Sequence, residues 1–309
     1  MRASHNPEFR AALLLPRYWL TWLLFAVCAL LAALPIPLRA ALARLFAAIA
    51  WRLPSRRRHI ARVNLRLCFP ELPAAELERL LRRHAEIVIH VFLHYGQLMF
   101  GATRALEDLV DVCGREHFDA AVADGSNVIL LTPHAAALEH VGQWIALQHP
   151  LVSVVRLHEG DEALDWIVSR MRNRFGAHFV GHRDGMLPLI KAVRSGDWLY
   201  YLPDEDQGGD NAAFAPFYGV PKSTIATLGR LADSCRAVVL PFAGGYCIER
   251  RRFWIRFLPA RAFHASGDAA ADARRTNELL EEIIDVDRAQ YMWSQKIFRT
   301  RPPGIDKPY

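Results

Sequence analysis

The chain has 309 residues, 52% of them hydrophobic, enough to bury a sizeable core, and carries a formal charge of +6 with a pI near 9.2. That balance suits an anionic partner (a membrane surface, nucleic acid, or an acidic carrier or substrate) without choosing among them. Cys28, Cys68, Cys113, Cys235 and Cys247 are scattered, odd in number and lack a C-x-x-C pair, which argues against a disulfide framework or a zinc site and leaves packing as their expected role.

Residues 18–36, YWLTWLLFAVCALLAALPI, carry no charge and come close to the roughly 20 residues that cross a bilayer core. Trp19 and Trp22 lie near one end, where aromatic rings favour the interface. A cleaved signal peptide is the alternative, with Arg2, Arg10 and Arg17 as its basic region; the apolar run exceeds the roughly 7–15 residues usual there, and no cleavage site follows. Residues 39–66 are rich in arginine, including Arg56, Arg57 and Arg58, and nearly free of acids. Beside an anchor, such a segment reads as cytoplasmic and in touch with anionic headgroups; a plain solvated basic helix is the blander reading. The expected organisation is an N-terminal membrane anchor (residues 1–38) and one large domain (39–309), whose first part (39–72) faces the membrane.

Residues 73–100 show a helical stripe of Leu77, Leu80, Leu81, Ile87, Val91 and Leu98. Within it Glu86, His90 and His94, at offsets of four, share a face and read as a half-buried polar seam before a metal site. Residues 106–113 suggest a short strand, and 115–124 a helix ended by Gly125. The most informative stretch is 127–143, NVILLTPHAAALEHVGQ: an apolar strand stops at Thr132-Pro133, presents His134, and runs into an Ala/Leu-rich helix carrying Glu139. This puts His134 at the carboxyl end of a sheet, where α/β folds keep their chemistry. An offset of five turns two side chains apart on one regular helix. His134 is therefore expected before the helix, with Glu139 one turn in and reaching back to the imidazole. Strands predicted over 151–156, 178–180, 198–202, 237–242 and 253–258 alternate with helices over 161–175, 186–195, 223–234 and 268–287. The alternation implies an α/β fold with a largely parallel sheet covered on both faces.

A neutral imidazole can take a proton from a hydroxyl, and a carboxylate on its other nitrogen fixes the tautomer. No protein nucleophile accompanies the pair: there is no G-x-S-x-G, and Ser126 precedes the strand. Direct transfer follows, in which the activated hydroxyl of an acceptor attacks an activated acyl group.

The stretch TPHAAALEH, with His134 and Glu139, resembles the H-x-x-x-x-D/E box of glycerolipid-type acyltransferases, and more closely that of the late acyltransferases of lipid A biosynthesis, the lauroyl/myristoyl or HtrB-like family. VVRLHEG, LDWIVSRMRNRFG, GHRDGM, YYLPDEDQGG, FAPFYGVP and QYMWSQKIFRTRPPG follow in that family's order. The resemblance implies a glycerolipid-acyltransferase-like sheet behind one N-terminal transmembrane helix at the inner membrane. It also implies transfer of a fatty acyl chain from acyl carrier protein onto a hydroxyacyl chain of a lipid A precursor, with no metal or organic cofactor. On this reading Arg170 and Arg172, or a backbone N–H at the start of the helix after His134, stabilise the oxyanion. Arg156, Arg172, Arg174 and Arg183 meet the acceptor's phosphates and sugars. Asp204 and Asp206, in the P-D-x-D block, orient a basic wall or the sugar hydroxyls; with Glu205 and Asp210 they fail the spacing of a calcium loop. Ala135, Ala136 and Ala137 are smaller than the family's usual neighbours of the box, and Ser294-Gln295 replaces a more basic pair. Two rivals are an acyltransferase of the same fold acting on a lysophospholipid or amino-acid lipid, and a non-enzymatic tether or nucleic-acid binder, for which no reading helix is evident.

Overall fold

A computed structural model describes residues 5–155, 160–208 and 212–309. The helices are α1 Trp19–Ala33, α2 Ile36–Arg52, α3 Arg56–Cys68, α4 Ala74–Phe92, α5 Tyr95–Phe100, α6 Thr103–Glu107, α7 Arg115–Ala123, α8 Leu138–Gln148, α9 Glu162–Arg172, α10 Leu187–Arg194, α11 Leu228–Cys235 and α12 Ala269–Asp285. The strands are β1 Val110–Cys113, β2 Asn127–Leu131, β3 Leu151–Val155, β4 Ala177–Gly181, β5 Trp198–Tyr201, β6 Ala212–Phe217, β7 Val220–Ile225, β8 Ala237–Cys247 and β9 Arg252–Phe257. Seven strands form one sheet in the order β1-β9-β8-β2-β5-β3-β4. Every pairing in it is parallel except β8 with β9. The α/β architecture and mostly parallel sheet inferred from the alternation are what the molecule has.

Why β2 is apolar from Val128 to Leu131 follows from its place. Ile129 and Leu131 point into a core with Leu199, Val239, Leu280 and Ile283, while Val128 and Leu130 point into a second with Trp144, Ile145, Trp198 and Leu240. A strand covered on both faces needs hydrophobic side chains at consecutive positions.

Three expectations need correction. The helix predicted over 223–234 starts only at Leu228; residues 220–225 are β7, paired antiparallel with β6 across a tight turn at Tyr218 and Gly219, both at positive φ. The run 237–242 continues to Cys247, because Gly244 and Gly245 admit close neighbours: a methyl at Gly245 would stand 2.5 Å from Cδ of Gln290. The helix over 73–100 is two, α4 and α5, broken at Leu93-His94. Cys113 is exposed, while Cys68 and Cys235 are buried; all five thiols are free.

With the 3-10 turn before it, α1 forms an apolar run, Pro16–Ala33, of 18 residues, long and apolar enough to cross a membrane. Leu20, Leu23, Leu24, Val27 and Leu30 are exposed on its outer face. Its inner face lies on α5, where Gly96 allows an approach so close that a methyl there would stand 2.0 Å from the Cys28 carbonyl oxygen. The two histidines of the polar seam are buried: His90, on α4, stacks on Tyr246 at 5.5 Å between ring centres, and His94, in the break after α4, lies 5.1 Å from the same ring. His140 on α8 stacks on Phe253 at 4.2 Å.

Two outcomes are expected. Gly96→Ala forces α1 off α5 and costs about 1–3 kcal/mol, as overpacking does, read as a lower melting temperature in detergent. Burial holds the pKa of His90 and His94 near 4 and that of His140 near 3. The folded protein thus binds fewer protons than the unfolded chain below the ordinary histidine pKa of 6.5. Stability is full above that pH and falls between it and about 4. His94→Gln flattens this slope in urea titrations at successive pH values; an unchanged slope contradicts the assignment.

Candidate active site

The parallel pairing of β2 with β5 brings together two loops that look alike in sequence. Leu131 is opposite Tyr201, and Thr132 N–H extends the ladder by donating to the Tyr201 carbonyl. Three residues beyond each partner, each after a proline, come His134 and Asp204. His134 Nδ1 lies 2.7 Å from Asp204 Oδ1, and the His134 backbone N–H donates to Oδ2 at 3.1 Å. A carboxylate only accepts, so Nδ1 carries the proton and Nε2 is left as a base. Nε2 is 3.7 Å from a carboxylate oxygen of Glu205, on the partly exposed side of the ring.

As expected, His134 precedes the helix: α8 begins at Leu138 and Glu139 stands in its first turn. The expected bond from Glu139 to the imidazole is not what forms. Glu139 faces α9, where Arg172 Nε reaches its two oxygens at 3.0 and 3.2 Å and Nη2 bonds it as well. The carboxylate that orients the ring is Asp204, fully buried behind it and turned away from any sugar hydroxyl. The repeated strand-Pro-acid or strand-Pro-His pattern, LTPH and YLPD, was the available sign, but pairing two loops needs the strand order.

Electrostatics follow from this packing. Burial pulls the His134 pKa down, yet the charge and hydrogen bond of Asp204, with Glu205 and Glu139, outweigh it and hold the pKa above the ordinary histidine value. For Asp204 burial pushes up, but His134 and the buried Lys222 bring its carboxyl below the usual range. Lys222, on β7, has no exposed surface; burial lowers it to about 8 against the opposing charges of Asp204 and Asp206. The Tyr291 hydroxyl is buried nearby and is pushed well up by burial and by Asp204.

The three alanines after His134 have a purpose in the packing. Ala135 bridges to Tyr291, Ala136 N–H donates to the Gln290 carbonyl, and Met292 N–H donates to the His134 carbonyl. Small side chains let this C-terminal segment close directly on the turn. Of the backbone donors at the helix start, those of His134 and Ala136 are therefore already engaged. Asp206 joins the same segment: its carboxylate accepts from Thr300 N–H and Gly208 N–H, and its carbonyl from Arg299. Gln295, in the block whose contact sequence left open, accepts through its carbonyl from the Asn64 side chain.

The arginines separate. Arg172 points to Glu139 and packs over Phe179. Arg170 and Arg174, two positions to either side, point to the opposite flank, where Arg174 donates to the carbonyls of Leu98 and Gly101 and Arg170 lies 5.7 Å from the Trp166 ring centre. Arg183 is exposed in the turn after β4. Arg156 and Asp210 lie outside the described residues.

Comparison with known proteins bears on what this site does. A family model described as bacterial lipid A biosynthesis acyltransferase matches residues 6–300. The chain is 32% identical over 307 residues to the lipid A biosynthesis myristoyltransferase of Escherichia coli (strain K12), covering 99% of this chain and 95% of that protein. It is 30% identical over 306 residues to a lipid A biosynthesis acyltransferase of Haemophilus influenzae, with the same coverage, and 30% identical over 310 residues to the lipid A biosynthesis lauroyltransferase of E. coli, covering 99% of this chain and all of that protein.

The geometry sets a titration. In histidine-labelled protein followed by NMR, the His134 ring is expected to protonate above the ordinary value of 6.5. Asp204→Asn removes the leading charge that opposes burial and moves that midpoint downward; Glu139→Gln moves it less, because Glu139 acts only from a distance.

Proposed function

The chain belongs to the bacterial lipid A biosynthesis acyltransferases, and on that premise we propose that it transfers a fatty acyl chain from acyl carrier protein to a hydroxyacyl chain of a Kdo-lipid IVA-type precursor, with His134 as general base. The observation that carries this reading is the Asp204–His134 couple at the carboxyl end of β2 and β5, with Nε2 directed to the partly open side.

In the proposed step His134 Nε2 takes the proton of the acceptor hydroxyl as that oxygen attacks the thioester carbonyl. The C–O bond forms, the C–S bond breaks, and the imidazolium returns its proton to the departing thiolate. The products are an ester and the free carrier thiol. Asp204 stabilises the imidazolium without taking its proton. Arg172, held by Glu139 beside the turn, supplies positive charge for the oxyanion. No metal or organic cofactor is needed for this sequence of bonds.

The apolar outer face of α1 and the arginines of α2 and α3 support a site on the cytoplasmic face of the inner membrane. There the carrier protein, itself acidic by expectation, meets a basic chain.

The test combines product and pH. Purified enzyme given a mixture of acyl carrier protein thioesters and the precursor should yield a lipid heavier by one acyl chain, its length read by mass spectrometry. Transfer to a lysophospholipid instead, with lipid A unchanged in a deletion strain, would overturn the acceptor. His134→Ala should lower turnover by about 10²–10⁴-fold while leaving the melting temperature in place. Because the imidazole must be neutral to act, wild-type rate should rise with pH through a midpoint above 6.5; a flat profile would overturn the base.

A further inference from the structure

The flank of α9 turned away from Glu139 borders a cavity of about 460 Å³, within the roughly 300–1,000 Å³ typical of small-ligand sites. Trp166, Ile167 and Arg170 line it from α9, Phe25 from α1, and Met99 and Phe100 from α5. Positions 166, 167 and 170 share one helical face, whereas Arg172 is rotated about 200° from Arg170. The catalytic side of α9 and the cavity side are therefore different sides of one helix.

The walls are aromatic and the mouth is basic. Phe25 meets Phe100 at 5.0 Å between ring centres, and Trp22 meets Trp166 at 6.0 Å. Arg170 is exposed and, among the described residues, makes no hydrogen bond or ion pair. Its neighbour Arg174 has donors committed to two backbone carbonyls. One wall is α1, whose other face presents bare leucines outward. A mostly apolar chamber between a membrane helix and the catalytic domain, with Asn6 and Asn173 also in its lining and at its edge a guanidinium that rests on the Trp166 ring without an ion pair, matches a molecule with an alkyl tail and a phosphate.

We propose that this cavity binds one anionic phospholipid of the surrounding bilayer, its tail against Phe25, Phe100 and Trp166 and its phosphate on Arg170. The proposal rests on the membrane location given above, and not on which lipid is acylated. The lipid is bound and not consumed.

Native mass spectrometry of the full chain, released from a nonionic detergent after titration with phosphatidylglycerol or with phosphatidylcholine of the same chains, tests it. One phosphatidylglycerol should be retained about tenfold more strongly than phosphatidylcholine. Arg170→Gln should erase that preference, and Ile167→Trp, which fills the chamber, should abolish retention of both. Equal retention of the two lipids by the wild-type protein, a measurement that needs no variant, overturns the proposal. So does competition of phosphatidylglycerol with the lipid A precursor in turnover, which would assign the cavity to the acceptor. Retention is read without turnover, so a chain that holds phosphatidylglycerol yet does not acylate the precursor would count against the proposed activity alone.

Discussion

A carboxylate without any contact with solvent is costly unless its surroundings return what water supplied. Asp204 is in that position, and what surrounds it are the ring N–H of His134, the backbone N–H of the same residue and the charge of Lys222. Because one oxygen holds the ring and the other the main chain, a single side chain fixes the tautomer, the ring plane and the course of the loop. An acid on α8 would have held the ring alone. The parallel neighbours β2 and β5 are what make this double grip geometrically available, so the sheet's strand order itself builds the couple.

Glu139 does something different from the role its spacing suggested. By taking the guanidinium of Arg172 it ties the first turn of α8 to the last turn of α9, and the pair is mostly enclosed, with both partners hydrogen-bonded. Charge-assisted pairs of this bidentate kind give orientation as well as energy. One consequence is division of labour along α9: an inward arginine locked by an acid, and outward arginines directed to a chamber beside the apolar helix α1.

Much of the frame was legible because it rests on local rules. The apolar run 128–131 announced a strand and Thr132-Pro133 its end, while the alternation of strands and helices announced a sheet covered on both faces; the helix boundaries around α9 and α12 fell within a few residues of expectation. What could not be read were features set by distant partners. Residues 223–225 are strand rather than the expected helix because Ser223, Thr224 and Ile225 carry no pattern until Phe214, Ala213 and Ala212 pair across from them. β8 runs past the expected end at 242 because Gly244 lies close against Val141 and Gly245 against Gln290. Likewise the partner of His134 stands 70 residues away, and nothing local distinguishes Asp204 from Asp206, whose carboxylate serves the backbone of Thr300.

The C-terminal segment that closes on the His134 turn also holds Asp206 and, through the carbonyls of Trp293 and Gln295, the side chain of Asn64 on α3. Both loops, that of His134 and that of Asp204 and Asp206, are thus braced by residues that leave the ribosome after every strand of the sheet. The apolar helix α1 precedes all of these elements in the chain, so the His134 turn gains its braces only after α1 and the sheet have been made. Closure of the turn around His134 therefore depends on residues made after every strand of the sheet, an order that the chain itself imposes.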